Sequence, residues 1–125
     1  NPDHLVSSTY WRYLTLRRLG RDADARELLA AIAEDLPLLE NHAYHRLLLF
    51  FRGGASGVEP AAAGVDEVAL DAATIGYGIG IWHLLEGRRA EGERALRGVL
   101  DGTSWAAFGY IAAEAEVARL ERHRR

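Results

Sequence analysis

The sequence predicts an all-α fold, and three observations carry that expectation. Apolar residues recur at helical spacing through most of the 125 residues. No alternating run of β-branched residues stands between turns. Three apolar stretches end on a glycine at near-equal intervals. At 13.8 kDa the chain has room for one domain, placed at 1–125, with one modest core. Hydrophobic residues make up 49% and charged residues 26%, ordinary values for a globular protein. No apolar run reaches the ~18 residues that a membrane span needs, so no membrane partner is expected.

The helices follow in chain order. The first covers His4 to Leu19, with Leu5, Tyr10/Trp11, Leu14 and the Tyr13/Leu16 pair at helical spacing. Asp22 is placed to cap a second helix carrying Ala25, Leu28, Leu29, Ile32 and Leu36 on one stripe and ending before Pro37. A third runs from about Leu39 to Arg52. A short fourth starts with Pro60 in its first turn, where the missing N–H costs nothing. The fifth covers Asp66 to Glu86, the sixth Arg88 to Leu100, and the seventh Thr103 to about Arg122.

An internal repeat organises these helices. Tyr13–Gly20, Leu47–Gly53 and Trp82–Gly87 each close an apolar helical stretch on glycine, with 53 − 20 = 33 and 87 − 53 = 34 residues between the glycines. Glycine is suited to the left-handed position that ends a helix. Two helices per ~34 residues is the period of the tetratricopeptide repeat. The first unit, from Tyr10 through Gly20, Ala25, Leu29 and Ile32 to Pro37, resembles a tetratricopeptide (TPR) repeat at its turn glycine, its small second-helix residue, its packing face and its closing proline. In the third unit Gly80 fits the small first-helix position, but Gly92 replaces the usual alanine and Ser104 the proline. The middle unit departs most, with Gly54-Ala-Ser-Gly-Val-Glu-Pro60 leaving little length for a second helix. Units at about 4–37, 38–65 and 66–102 and a terminal helix at 103–122 resemble the degenerate C-terminal TPR region of uncharacterised bacterial proteins. The resemblance implies an α-α superhelix of about three helix pairs, the middle one degenerate, closed by a capping helix.

The ends leave localisation unknown. The chain opens with Asn1-Pro2, contains no Met and shows no signal peptide, so it reads as a fragment of a longer protein.

Composition removes several kinds of chemistry. Without Cys there are no disulfides, thiolate zinc sites or cysteine nucleophiles. All 15 basic residues are Arg; with no Lys there is neither Schiff-base chemistry nor a Walker-type phosphate grip. A net charge of −3 and a pI of 5.9 are the wrong field for nucleic acid.

The remaining motifs each have a plain reading. His42 and His45 share a helix face at i and i+3, and His83 lies on the equivalent helix of the next unit; three imidazoles can hold zinc. No ligand-pair motif accompanies them, so packing or hydrogen-bonding roles are expected, with metal binding the alternative. Gly76-Tyr-Gly-Ile-Gly80 lacks the sixth-position glycine and the preceding strand of a dinucleotide loop, so Gly76 and Gly80 are expected to admit a closely packed helix. Gly54-Ala-Ser-Gly57-Val58 fails the nucleophile-elbow pattern for the same kind of reason. Acidic pairs such as Glu91/Glu93 and Glu114/Glu116, two apart, diverge on a helix, and Glu114 is a candidate polar group inside the terminal helix. Arginines near helix ends complement the helix dipole.

The TPR resemblance implies a concave groove that binds an extended peptide or a partner's helix. Carried onto this sequence, its positions include Tyr10, Leu14 and Arg17, then Leu47 and Phe50, then Tyr77 and Ile81. The set is more apolar than polar, so the groove either receives an apolar partner or is filled by the protein's own helices. With no Lys and a single internal Asn, Asn41, a clamp for chaperone C-terminal carboxylates is disfavoured. The expected role is a non-enzymatic scaffold that takes a protein or peptide partner and no cofactor. The alternative is a structural cap or self-association module, sealed by a terminal helix carrying Trp105, Phe108, Tyr110, Ile111 and Val117.

Overall fold

A computed structural model describes residues 1–53, 69–101 and 108–124. Among the described residues there are six helices and no strand. They are α1 (Pro2–Arg18), α2 (Asp22–Ala30), α3 (His42–Gly53), α4 (Ala69–Leu85), α5 (Arg89–Leu100) and α6 (Phe108–His123). The fold is all-α. It divides into two compact units, Asn1–Pro60 and Ala61–Arg125.

In the first unit α1, α2 and α3 each pack on the other two. α1 starts earlier than its apolar spacing suggests because Asn1 caps it. The Asn1 carboxamide oxygen accepts from the Asp3 and His4 N–H groups, and Pro2 occupies the first turn. Val6, Tyr10, Tyr13 and Leu14 turn into the core. Tyr13 stacks on Phe51 of α3 with ring centroids 4.8 Å apart, and Tyr10 lies 4.7 Å from the Tyr44 ring.

α2 is shorter than expected and α3 starts later. Asp22 does not cap α2: Arg21 holds the cap position without a side-chain bond, and Asp22 pairs instead with Arg17 at 3.1 Å. α2 ends at Ala30, well before Pro37, because α3 satisfies the carbonyls beyond it. The His45 ring donates from Nε2 to the Ala33 carbonyl at 2.7 Å, and the Arg52 guanidinium donates to that of Ile32. Before α3, the Asp3 carboxylate accepts the N–H groups of Leu39 and Glu40, and the Asn41 amide donates to the Asp3 carbonyl. Asn41 is left-handed at φ 52°, which breaks any helix running in from Leu39.

In the second unit α4, α5 and α6 pack together, and α4 meets α5 most closely. A Cβ placed on Gly80 would stand 3.2 Å from the Gly92 carbonyl oxygen and 2.8 Å from the buried Leu96 side chain. One on Gly92 would stand 2.9 Å from the Gly80 carbonyl oxygen. The glycines at 76 and 80 therefore admit a helix, as the sequence implies, and Gly92 is the reciprocal half of that contact. The α6 face bearing Ala113, Glu116, Val117 and Leu120 is buried. Arg89 holds it by donating to the Leu120 carbonyl at 3.1 Å, and Arg97 by bridging Glu93 and Glu121 at 3.0 and 2.9 Å.

Two of the three repeat glycines are equivalent. After α1, Gly20 N–H bonds the Arg17 carbonyl and Arg21 N–H that of Leu16; after α4, Gly87 N–H bonds Leu84 and Arg88 N–H bonds His83. Gly20 and Gly87 have φ 75° and 84°. These are two copies of one helix-ending hydrogen-bond pattern, 87 − 20 = 67 positions apart. At the same offset several buried positions recur, among them Val6 and Ala73, Tyr10 and Tyr77, Leu14 and Ile81, Ala25 and Gly92, Leu29 and Leu96, and Ile32 and Val99, whereas buried Trp82 falls opposite exposed Thr15. Gly53 is different, being the last helical residue of α3 without a positive φ. The expected helix at Pro60 and the pattern at Gly54–Val58 lie outside the described residues, as do Ser104 and Trp105.

Candidate functional site

The residues expected to line an open groove are core residues. Tyr10 and Leu47 are fully buried, and Leu14, Phe50, Tyr77 and Ile81 are each at most 5% exposed. Their apolar area is spent on packing and offers no partner a surface. Arg17 is engaged as well: it pairs with Asp22 and donates to the Tyr13 hydroxyl at 2.9 Å.

The histidines do not gather. His45 is buried with its Nε2–H on the Ala33 carbonyl, and His42, one turn away, is exposed. His83 Nδ1 accepts from Arg88 Nε at 2.9 Å, while the Arg88 guanidinium lies 4.6 Å over the Trp82 ring. Among the described residues no three His, Asp or Glu side chains are grouped to hold a metal.

The buried carboxylates are not the expected one. Glu114 is exposed, whereas Glu116 and Glu93 are buried. Glu116 pairs with Arg119 at 3.5 Å, and Glu93 is bound by Arg97 and Arg124. Glu121 and Glu93 together push the Arg97 pKa up, and the Arg97 guanidinium bridging them joins α5 to α6. Ile111, expected to be part of the sealing face of the terminal helix, is 50% exposed, whereas Val117 of the same set is buried.

The open surface of the first unit lies on another stripe of α1. Leu5, Thr9, Arg12 and Leu16, spaced i, i+4, i+7 and i+11, line a groove of about 470 Å³ with Leu28, Ala31 and Ile32 of the α2 side. Asp24 and Glu27 of α2 complete its acidic edge, and Arg12 stands on the α1 edge. Arg21 closes the turn end through a 2.8 Å ion pair with Asp24. A second hollow of about 280 Å³ lies along Trp11, Arg12, Thr15 and Leu16. Leu5 is 44% exposed. Trp11, also partly exposed, rests its ring against Tyr10 at 4.9 Å. Nearby, burial raises the Tyr44 phenol pKa.

Sequence periodicity missed this groove because α1 is apolar on more than one side. Leu5 and Leu16 read as core positions beside Tyr10 and Leu14. The usable signal was the i, i+4, i+7, i+11 stripe itself, which a helix with one buried face does not need. No helix among the described residues is long and apolar enough to cross a membrane. No protein-family model matches the chain, and neither a curated protein nor a solved structure does.

Proposed function

We propose that this chain is a non-enzymatic interaction module built from TPR-type helix hairpins, and that its α1–α2 groove receives one face of a partner's amphipathic helix. The observation that carries the reading is the open groove with Leu5, Leu16 and Leu28 in its lining and opposite charges on its two edges. Two neighbouring helices present a furrow into which the side-chain ridge of a third packs, and helix-in-groove recognition uses that geometry. The duplicated turns at Gly20 and Gly87 support the TPR relation. The partner's helix carries aliphatic residues at i, i+4 and i+7, with acidic side chains toward Arg12 and basic ones toward Glu27.

The test is a designed amphipathic peptide of that pattern, titrated into the chain while methyl resonances are followed by NMR. Shifts concentrated on Leu5, Leu16 and Leu28 support the reading. An unchanged spectrum, or shifts confined to Leu96 and Leu120 of the second unit, refutes it.

A further inference from the structure

We propose that the α1–α2 groove of one copy of this chain receives the outward face of α6 from a second copy. The inference rests on the groove being a helix-docking surface and names its occupant.

α6 has the face the groove calls for. Its buried side is committed to its own unit through Ala113, Val117 and Leu120. On the other side Ile111, Ala115, Ala118 and Arg122 are exposed at i, i+4, i+7 and i+11, the spacing of the α1 stripe. Ile111 is the large apolar knob, half exposed, and the two alanines let a backbone approach closely. That face is bordered by Glu114 on one flank and by Arg119 on the other, with Arg122 at the end of the stripe itself.

Charge sets the occupant and its direction. Among the described residues, Arg12 on the α1 edge, Glu27 on the α2 edge, and Glu114 and Arg122 on α6 have no side-chain ion pair or hydrogen bond. Laid in the groove with Glu114 toward Arg12, α6 brings its basic flank to Glu27. The reversed helix sets Glu114 against Glu27 and is disfavoured by like-charge repulsion. Two surfaces of matching spacing and opposite charge order thus occur on one chain, with Arg119 also paired to Glu116 and Asp24 to Arg21. Reciprocal contacts close a dimer, and a single contact repeated propagates a chain.

Sedimentation equilibrium of the full chain, from about 5 to 500 μM, reads this directly at the affinity of a small interface. The expected mass rises with concentration above 13.8 kDa. Ile111→Asp removes the knob and Leu28→Arg spoils the groove; each alone weakens association by about tenfold or more while keeping its helical circular dichroism. An equal mixture of the two recovers a two-chain complex, because each variant retains one intact surface. Glu27→Arg, at an exposed position, replaces Leu28→Arg if that variant loses helix signal. A wild-type chain that stays monomeric throughout, single variants that associate undiminished, or a mixture that fails to recombine overturns the proposal. If the designed peptide still shifts the groove methyls in that event, self-docking fails and the groove reading stands.

Discussion

Replacing Gly92 by alanine separates helix propensity from packing within one helix. In isolation the change favours α5, since alanine is better than glycine in a helix interior by about 1 kcal/mol. The new methyl, however, would sit 2.9 Å from the Gly80 carbonyl oxygen and 2.7 Å from a Leu84 side-chain methyl. The oxygen belongs to the α4 backbone and cannot rotate away, so the helices must part. Overpacking a filled contact costs typically 1–3 kcal/mol, and backbone displacement belongs at the upper end. The net expectation is a loss of about 1–2 kcal/mol, with a melting midpoint several degrees lower. Gly98 supplies the control on the same helix: a Cβ there meets nothing within 4 Å. Gly98→Ala should therefore gain about 0.5–1 kcal/mol. The two substitutions, chemically identical, should differ by roughly 2–3 kcal/mol in urea unfolding followed by circular dichroism. A Gly92→Ala chain as stable as Gly98→Ala would refute the close α4–α5 approach.

Two further outcomes follow from the first unit. The Asp3 carboxyl is held below its ordinary pKa by the Glu40 and Leu39 N–H groups it accepts, so its folded pKa lies beneath its unfolded one. That contribution is complete above about pH 4 and is lost as pH falls through the folded value; Asp3→Asn should flatten this acid limb of the stability profile, and an unchanged limb would exclude the latch. His45→Leu should cost about 1–3 kcal/mol by leaving the Ala33 carbonyl without its imidazole donor, and zinc should not raise the wild-type melting midpoint. A zinc-dependent rise abolished by His45→Leu would instead restore a metal role for that histidine.

Much of the architecture was legible because its signals are local. Gly20 and Gly87 end helices by adopting a backbone conformation that side chains resist, so their effect needs no knowledge of neighbours. The helical period, the absence of strand patterning and the costly glycines at 76 and 80 are likewise properties of short segments. Gly53 shows the limit of the same reasoning: it follows an apolar stretch as the other two do, yet it stays helical.

The amino-acid order by itself determined that the chain is helical, where α1 and α4 stop, and which α4 glycines a helix would crowd. Tertiary structure alone decided which apolar face of α1 became core and which stayed open. Leu5, Tyr10, Trp11, Leu14 and Leu16 surround that helix, and only the arrival of α3 on Tyr10 and Tyr13 distinguishes them. It also decided where α2 ends and α3 begins, because the groups that replace the missing helical bonds, Asp3, His45 and Arg52, come from other helices. Burial and hydrogen-bond satisfaction depend on partners distant in sequence. For that reason the residues that looked most like a binding face are the ones the fold consumes.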